Sequence, residues 1–358
     1  MSRTIVVNAT ALQTSGGLTI LKQFVEAAKK QVAFEFIVFI SPNLEFKNEA
    51  NIKFQHKDLK RWIQRILWDS FGLNRWLKDN DIRPDYVVSL QNTTINVDFP
   101  QIVYLHQPIP YSEIEWSLFR RSEFKFFLYK KFYKKFIYLH SRDDTIYTVQ
   151  TFWMKRALAA DGISDSRIHV IKPTVAFGNS YAASASASTP FLFYPATSMA
   201  YKNHSVILKA MRRLNTEFRQ GVEFKVTLSR GESPSFDRIV DDLELGELVE
   251  YLGVIDHDAM VSNYIGCLAL VFPSYIETLG LPLLEAASLG CPILASDLDF
   301  ARDVLNGYEG VQFIDHTAPD DWVKAIGSLI KEKAEPMRYP RFDYNGDGWE
   351  KFFNLMEN

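Results

Sequence analysis

Glu277 and Glu285 stand with seven residues between them, and the stretch from Thr278 reads Thr278-Leu279-Gly280-Leu281-Pro282. The apolar run Leu268–Pro273 before them is strand-like, and Pro282 suits the first turn of a helix, where its missing N–H costs nothing. The free N–H groups around Thr278–Leu281 then sit at a helix N-terminus, which favours an anion such as a diphosphate. Glu285 falls about one turn inside that helix and faces back toward the loop, so its carboxylate can accept paired hydrogen bonds from vicinal hydroxyls. The plainer reading makes Glu285 a helix cap and Glu277 a solvated loop charge. The strand before the pair and the Gly-Leu-Pro within it favour the ligand site.

A second candidate is His106, which ends the strand-like Ile102–His106 and begins His-Gln-Pro-Ile-Pro. A parallel sheet presents its ligands at such a strand end. The competing reading is a loop histidine satisfied by backbone.

A third feature is basic and aromatic. Residues 116–142 hold eight Lys/Arg, one acid (Glu123) and ten aromatics. Tyr129, Phe132, Tyr133 and Phe136 recur at helical spacing, with Lys130, Lys131, Lys134 and Lys135 expected on the opposite side. An aromatic face against a lysine face suits the headgroup zone of an anionic bilayer. Arg61, Trp62, Arg65, Trp68, Arg75 and Trp76 extend the patch. The alternative is a core stripe with an ordinary solvated face. Nucleic acid is disfavoured, because the sequence pI is 6.2 and no recognised nucleic-acid-binding motif is present.

These residues need a scaffold, and the chain has the length and composition for one. Its 358 residues, 47% hydrophobic and 23% charged, allow two domains with large cores. The net charge of −3 is unevenly spread, about +8 over residues 1–175 and −11 over the remainder. Cys267 and Cys291 cannot make a disulfide framework and read as buried thiols. No apolar run reaches the ~18 residues of a spanning helix, and Met1–Ala11 lacks a signal-peptide pattern. A soluble chain on the cytoplasmic side is expected.

Strand-like runs at Thr4–Ala11, Phe34–Ile40, Tyr86–Leu90 and Ile102–His106 alternate with helical stretches such as Leu18–Lys30. The pattern stops near Pro173, and residues 182–188, all Ala and Ser, read as a linker. A second series follows, with strands at Phe191–Pro195, Phe224–Ser229, Glu250–Gly253, Leu268–Pro273 and Pro292–Ser296. Helices are expected at 204–218, 235–246, 257–266, 281–290 and 319–332, and a last one at Gly348–Met356. Alternation of this kind implies parallel sheets covered on both faces. The fold class is therefore α/β, two Rossmann-like domains facing across a cleft.

The stretch Phe272–Arg302 resembles the E-x7-E signature of the retaining GT-B glycosyltransferases of glycosyltransferase family 4, including Gly290-x-Pro292 and Ala295-Ser296-Asp297. Phe193-Tyr194-Pro195 with Tyr201-Lys202-Asn203-His204 is similar to the family's phosphate-side segment. Tyr251-Leu252-Gly253 is similar to the stretch before its base pocket, and Val149–Lys155 to a segment of bacterial polysaccharide members. The resemblance implies Glu285 on the donor ribose, Glu277 near the donor sugar, backbone amides of Thr278, Leu279 and Gly280 on sugar and phosphate, and Lys202 on the phosphate. Gly16 and Gly17 resemble first-loop glycines that let the backbone approach the diphosphate, and His106 is implied as a contact of the donor sugar or the reacting groups. Where many members place an arginine this chain has Ala196, so either Arg230 supplies the second positive charge or the site works with one.

The resemblance implies a retaining hexosyltransferase that is metal-independent and has no cofactor, using a nucleotide diphosphate sugar. Its acceptor is a hydroxyl on a bacterial surface glycan such as O-antigen or capsule, lipid-linked, at the inner leaflet of the membrane. The expected division is 1–175 for an acceptor-binding domain with the basic arm, 190–335 for the nucleotide-sugar domain, and 336–358 for a segment returning to the first domain. Two rivals are a non-catalytic nucleotide-sugar-binding scaffold of a polysaccharide synthase complex and a GT-B sugar epimerase.

Overall fold

The computed structural model describes residues 2–120, 123–173, 189–218, 222–331, 339–344 and 348–357. The chain divides into two compact units, Met1–Thr174 with Gly346–Asn358, and Val175–Asn345. The Ala/Ser run expected as a linker lies outside the described residues.

Unit 1 begins with β1 (Arg3–Asn8), α1 (Ser15–Ala28), β2 (Phe34–Ile40), β3 (Ile52–His56), α2 (Trp62–Leu67) and α3 (Leu73–Asp79). It continues with β4 (Tyr86–Ser89), β5 (Gln101–Leu105), α4 (Phe124–Tyr138), β6 (Ile146–Val149), α5 (Phe152–Ala160) and β7 (Ile168–Val170). Unit 2 contains β8 (Phe191–Tyr194), α6 (His204–Phe218), β9 (Glu223–Val226), α7 (Pro234–Asp242), β10 (Val249–Tyr251) and α8 (His257–Gly266). Then come β11 (Ala269–Phe272), α9 (Leu281–Ser288), β12 (Ile293–Ser296), α10 (Asp299–Val304), β13 (Val311–Ile314) and α11 (Pro319–Lys331). The last helix, α12 (Gly348–Asn354), belongs to unit 1.

Each unit is built on one parallel sheet, in the order β3-β2-β1-β4-β5-β6-β7 and β10-β9-β8-β11-β12-β13. The central strands are apolar along their length because helices cover both faces: every residue of β5, β8, β11 and β12 is buried. Both sheets reverse their strand order once, between β1 and β4 in unit 1 and between β8 and β11 in unit 2. In such sheets the crevice beyond the carboxyl ends of the two strands at the reversal is where ligands bind.

The α1 side of the first sheet is closed by α12. Phe24 of α1 packs against Trp349, Phe352 and Phe353, and the Trp349 ring stacks on Tyr104 of β5 at 5.4 Å. Burial of each phenylalanine stabilises this return by roughly 2–3 kcal/mol at most. Gly348 opens the helix where the chain passes Lys172: a Cβ there would lie 1.9 Å from the Lys172 carbonyl oxygen. The returning C-terminal helix is thus as expected from the sequence.

Several boundaries differ. β1 stops at Asn8, and α1 starts at Ser15, so Gly16 and Gly17 form the first turn of a helix and not a loop. The apolar stripe Ile20, Leu21, Phe24, Val25 and Ala28 draws this helix onto the sheet, and the two glycines are carried along at its start. β3, β6, β7, β13 and α10 were not expected; each is short, and β3 and β13 alternate apolar with polar side chains. Cys267 and Cys291 are buried thiols, with their sulfurs 3.4 Å apart.

Candidate functional site

At the reversal of the second sheet, the loops after β8 and β11 are tied together. Tyr275 N–H donates to the Tyr201 carbonyl at 2.9 Å, and the Ser274 hydroxyl to the same oxygen at 3.2 Å. Tyr194, at the end of β8, donates its hydroxyl to the Lys202 carbonyl at 2.8 Å. Asn203, in the left-handed region with φ of 55°, donates to the carbonyls of Pro273 and His316 at 3.2 and 2.9 Å. The segment carrying Lys202 is therefore held by five side-chain and main-chain bonds. The Lys202 ammonium pairs with the Glu277 carboxylate, which also accepts from Ser274 Oγ at 2.7 Å.

Between the glutamates the backbone turns through Gly280, with φ of 74°, into α9. A side chain there would strain the left-handed backbone and press on Leu283 and Phe272, 3.1 and 3.3 Å from a Cβ. Leu279 is buried and anchors the turn, while Leu281 and Pro282 open the helix. The first N–H groups of α9 thus stand beyond the carboxyl end of β11, beside the Lys202–Glu277 pair in sequence and topology. Glu285 lies one turn in. Its Oε2 accepts the Tyr264 hydroxyl of α8 at 2.6 Å, leaving Oε1 without a partner among the described residues. Burial raises its pKa, against the opposing effects of the Tyr264 bond and the charge of His257. Tyr264 was not anticipated from sequence, and its helical position in α8 carries no signal for this bond.

Arg230 does not join this group. Its Nη2 is 2.6 Å from Asp241, its Nη1 donates to the Tyr251 hydroxyl at 3.1 Å, and Asp237 lies 3.9 Å from its Nε. Every one of these bonds runs to α7 or β10, because β9 ends at Val226 and the chain turns toward α7. Ala196 is buried.

In unit 1, His106 follows β5. Its ring Nε2 lies 3.0 Å from the Leu90 carbonyl, so that nitrogen carries the proton and Nδ1 is the acceptor. The His106 N–H donates to Asn92 Oδ1 at 2.6 Å. Burial pushes the imidazole pKa down and keeps it neutral near pH 7. The backbone satisfaction weighed in the sequence is present. Gly16, on α1, has open space around its Cβ position, and Gly17 approaches Leu12 at 3.2 Å.

The basic arm is a helix, α4, but its faces are not divided as expected. Lys130 donates to the Ser112 carbonyl, and Lys134 pairs with Asp161 at 2.7 Å over the Tyr111 ring. Tyr129, Tyr133 and Phe136 are half-buried, since successive helical positions 100° apart place them on the side that meets the rest of the unit. The exposed strip carries Phe124, Leu128, Phe132 and Leu139 together with Lys125, Lys131 and Lys135. Trp62 of α2 meets Phe136 at 4.6 Å, and α2 and the π turn after it add Ile63, Leu67 and Phe71 to the exposed apolar set. Among the described residues, no helix is long and apolar enough to cross a membrane.

Residues 183–347, which include the Lys202–Glu277 pair and Glu285, match the family described as Glycosyl transferases group 1. This stretch is a glycosyl transferases group 1 domain. The chain is 30% identical over 95 residues to the O-antigen chain mannosyltransferase RfbU of Salmonella typhimurium, 26% of either chain. It is 25% identical over 159 residues to the serotype-specific mannosyltransferase WbdA of Escherichia coli, covering 42% of this chain and 19% of that one. The matches thus span about a quarter or less of these relatives' length. Among solved structures, WaaG, a glycosyltransferase involved in lipopolysaccharide biosynthesis, superposes with a TM-score of 0.73 at 14% identity, over 98% of this chain and 99% of that one. The fold around the group 1 domain is GT-B.

Proposed function

We propose that the chain is a retaining glycosyltransferase that moves a hexose from a nucleotide diphosphate sugar to a hydroxyl of a lipid-linked bacterial surface glycan. The observation that carries the reading is the placement of Lys202, Glu277 and the start of α9 at the strand reversal of a group 1 domain. In this reading the diphosphate lies on the α9 amides with Lys202 as counter-charge, and Glu285 Oε1 takes a ribose hydroxyl. The departing diphosphate is a stabilised leaving group, so cationic and amide donors fixed in place supply the charge stabilisation without a metal ion. Glu277 stands by the donor sugar, and the neutral His106 offers Nδ1 to a hydroxyl. The leaving phosphate helps deprotonate the acceptor on the same face of the sugar, which retains the anomeric configuration. Positioning accounts for much of the rate.

The names of the O-antigen mannosyltransferase relatives support a surface-glycan acceptor. The exposed apolar strip of α4 and α2 with Lys125, Lys131 and Lys135 supports peripheral attachment to the anionic inner leaflet, hence a cytoplasmic location. A second reading, a nucleotide-sugar-binding scaffold, is favoured by the commitment of Arg230 to Asp237 and Asp241, which leaves Lys202 without a second cation. Incubation of the protein with labelled nucleotide sugars, a bacterial glycolipid fraction and EDTA separates the two. Transfer of label to lipid, with loss in Glu277→Gln, supports the enzyme. Nucleotide binding with no transfer under any donor contradicts it.

A further inference from the structure

A cavity of about 50 Å³ opens in unit 1, walled by Trp62, Arg65, Asp69, Gln91, Thr93 and Tyr133 among others. It belongs to the reversal of the first sheet. Asn8 ends β1, Gln91 follows β4, and β1 and β4 are the neighbours between which the strand order turns back. Asp69 is brought over these strand ends by a single π turn, Trp68–Gly72, inserted between α2 and α3.

Asp69 is withdrawn from solvent, and among the described residues no cation is bonded to it. Its Oδ1 accepts from Asn8 Nδ2 at 2.8 Å and Gln91 Nε2 at 3.1 Å, and its Oδ2 accepts from Thr93 Oγ1 at 2.8 Å. The Arg65 guanidinium acts on it only through space and donates instead to the Leu59 carbonyl. Burial of a carboxyl among neutral donors is costly, and burial raises the Asp69 pKa to about 7. A purely structural knot of this kind would close on itself. Here Oδ1 is saturated by two donors, but Oδ2 retains an acceptor position, and the group lines an open space.

Aromatic rings make up much of the remaining lining. Tyr133 stacks on Tyr129 at 4.8 Å, and Trp62, about half exposed, stands at the rim against Phe136. A lining that combines a carboxyl, a primary amide and a hydroxyl with flat aromatic rings matches a sugar ring, which has hydroxyls on its edge and C–H groups on its face. At roughly 10–15 Å³ per water-sized group, the space takes a few hydroxyls and leaves the body of the ring outside, over Trp62.

We propose that this cavity is a saccharide-binding site, taking the hydroxyl edge of a sugar of the acceptor glycan through Asp69, Gln91 and Thr93, with its apolar face against Trp62 and Tyr133. The word acceptor rests on the glycosyltransferase reading; the saccharide site itself does not. Rim and exposed apolar strip share Trp62, so a lipid-linked glycan lying on a membrane surface is presented at the mouth of the cavity.

The test is saturation-transfer NMR on the full chain with the methyl glycosides of mannose, glucose and galactose, alongside thermal shifts with nucleoside diphosphates. At least one glycoside is expected to bind, and Asp69→Asn, Thr93→Val and Trp62→Ala each to weaken it about tenfold or more, with the nucleotide shift intact. Glu285→Ala is expected to do the reverse. Trp62→Ala, at an exposed position, keeps the test valid if a buried variant fails to fold. No binding of any glycoside by the unmodified protein overturns the proposal, as does binding unaffected by Asp69→Asn and Trp62→Ala. Loss of the nucleotide response with glycoside binding retained counts against the donor site alone.

Discussion

The Lys202 ammonium lies on the Glu277 carboxylate, with only 15% and 14% of the two side chains exposed. Each charge is the other's main compensation, since among the described residues the only further bond to Glu277 comes from the Ser274 hydroxyl. Removal of one partner from so covered a pair leaves a charge without its counter-ion, which costs more than an exposed ion pair is worth. Lys202→Ala is expected to destabilise the protein by about 1–3 kcal/mol in urea unfolding and to weaken nucleoside diphosphate binding by tenfold or more. Glu277→Gln is expected to keep nucleotide binding and lose sugar transfer. Equal loss of both functions in the two variants would contradict the division of roles.

Asp69 supplies a pH dependence of stability with a definite sign. Its folded pKa, about 7, lies above its ordinary 3.8, so the folded state holds a proton that the unfolded chain has released. The contribution is fully present below about pH 4 and is lost as the pH rises to about 7, by at most about 4 kcal/mol at roughly 1.4 kcal/mol per pKa unit. The buried His204, pushed down to about 3, acts oppositely over much of this range, gaining stability as pH rises. The comparison is therefore between variant and parent. Asp69→Asn keeps the shape of the bonds and is expected to gain stability relative to the parent between pH 4.5 and about 7.5, read as a difference in unfolding midpoint.

Gly348 is expected to tolerate no side chain. Gly348→Ala places a Cβ 1.9 Å from the Lys172 carbonyl oxygen, and relief requires α12 to move off Phe24 and Tyr104. Destabilisation of about 1–3 kcal/mol is expected from overpacking, with faster proteolysis at the C-terminus. A parent-like unfolding midpoint would contradict the return of α12 as drawn.

The proposed attachment to membranes rests on the exposed strip of α4 and α2. Lys131→Glu with Lys135→Glu removes two basic groups worth about 1 kcal/mol each near an anionic surface. Binding to vesicles containing anionic lipid is expected to fall more than tenfold, and Leu128→Ser with Phe132→Ser to weaken it at high salt as well. Equal binding by all three proteins would contradict the surface.

The second unit was the more legible in sequence, and the reason is local. Helix α6 and helix α8 have the expected limits, and the Glu277–Glu285 segment carries its own strand, glycine turn and helix start within a short stretch. The Asp69 cluster had no such chance. Asn8, Asp69, Gln91 and Thr93 meet only after the chain has run from β1 through β4, four strands and three helices, and a π turn leaves no periodic mark. The polar run Gln91–Thr94 just after an apolar strand was the available hint. The lysine face of α4 was misread because residue types alone do not say which side meets Ser112 and Asp161. Arg230 was proposed for the phosphate from its place after a strand, and the acids that hold it lie on the next helix.

The central claim is a nucleotide-sugar site built on Glu285, Lys202 and the start of α9. Its most direct measurement is a thermal-shift series with UDP, GDP, dTDP and CMP and their common sugars, in EDTA, on the parent and Glu285→Ala. A ligand bound by the native state alone raises stability by RT ln(1 + [L]/Kd). One nucleotide is expected to raise the melting temperature of the parent and not that of Glu285→Ala. A response to none of them, or an equal response in both proteins, would contradict it.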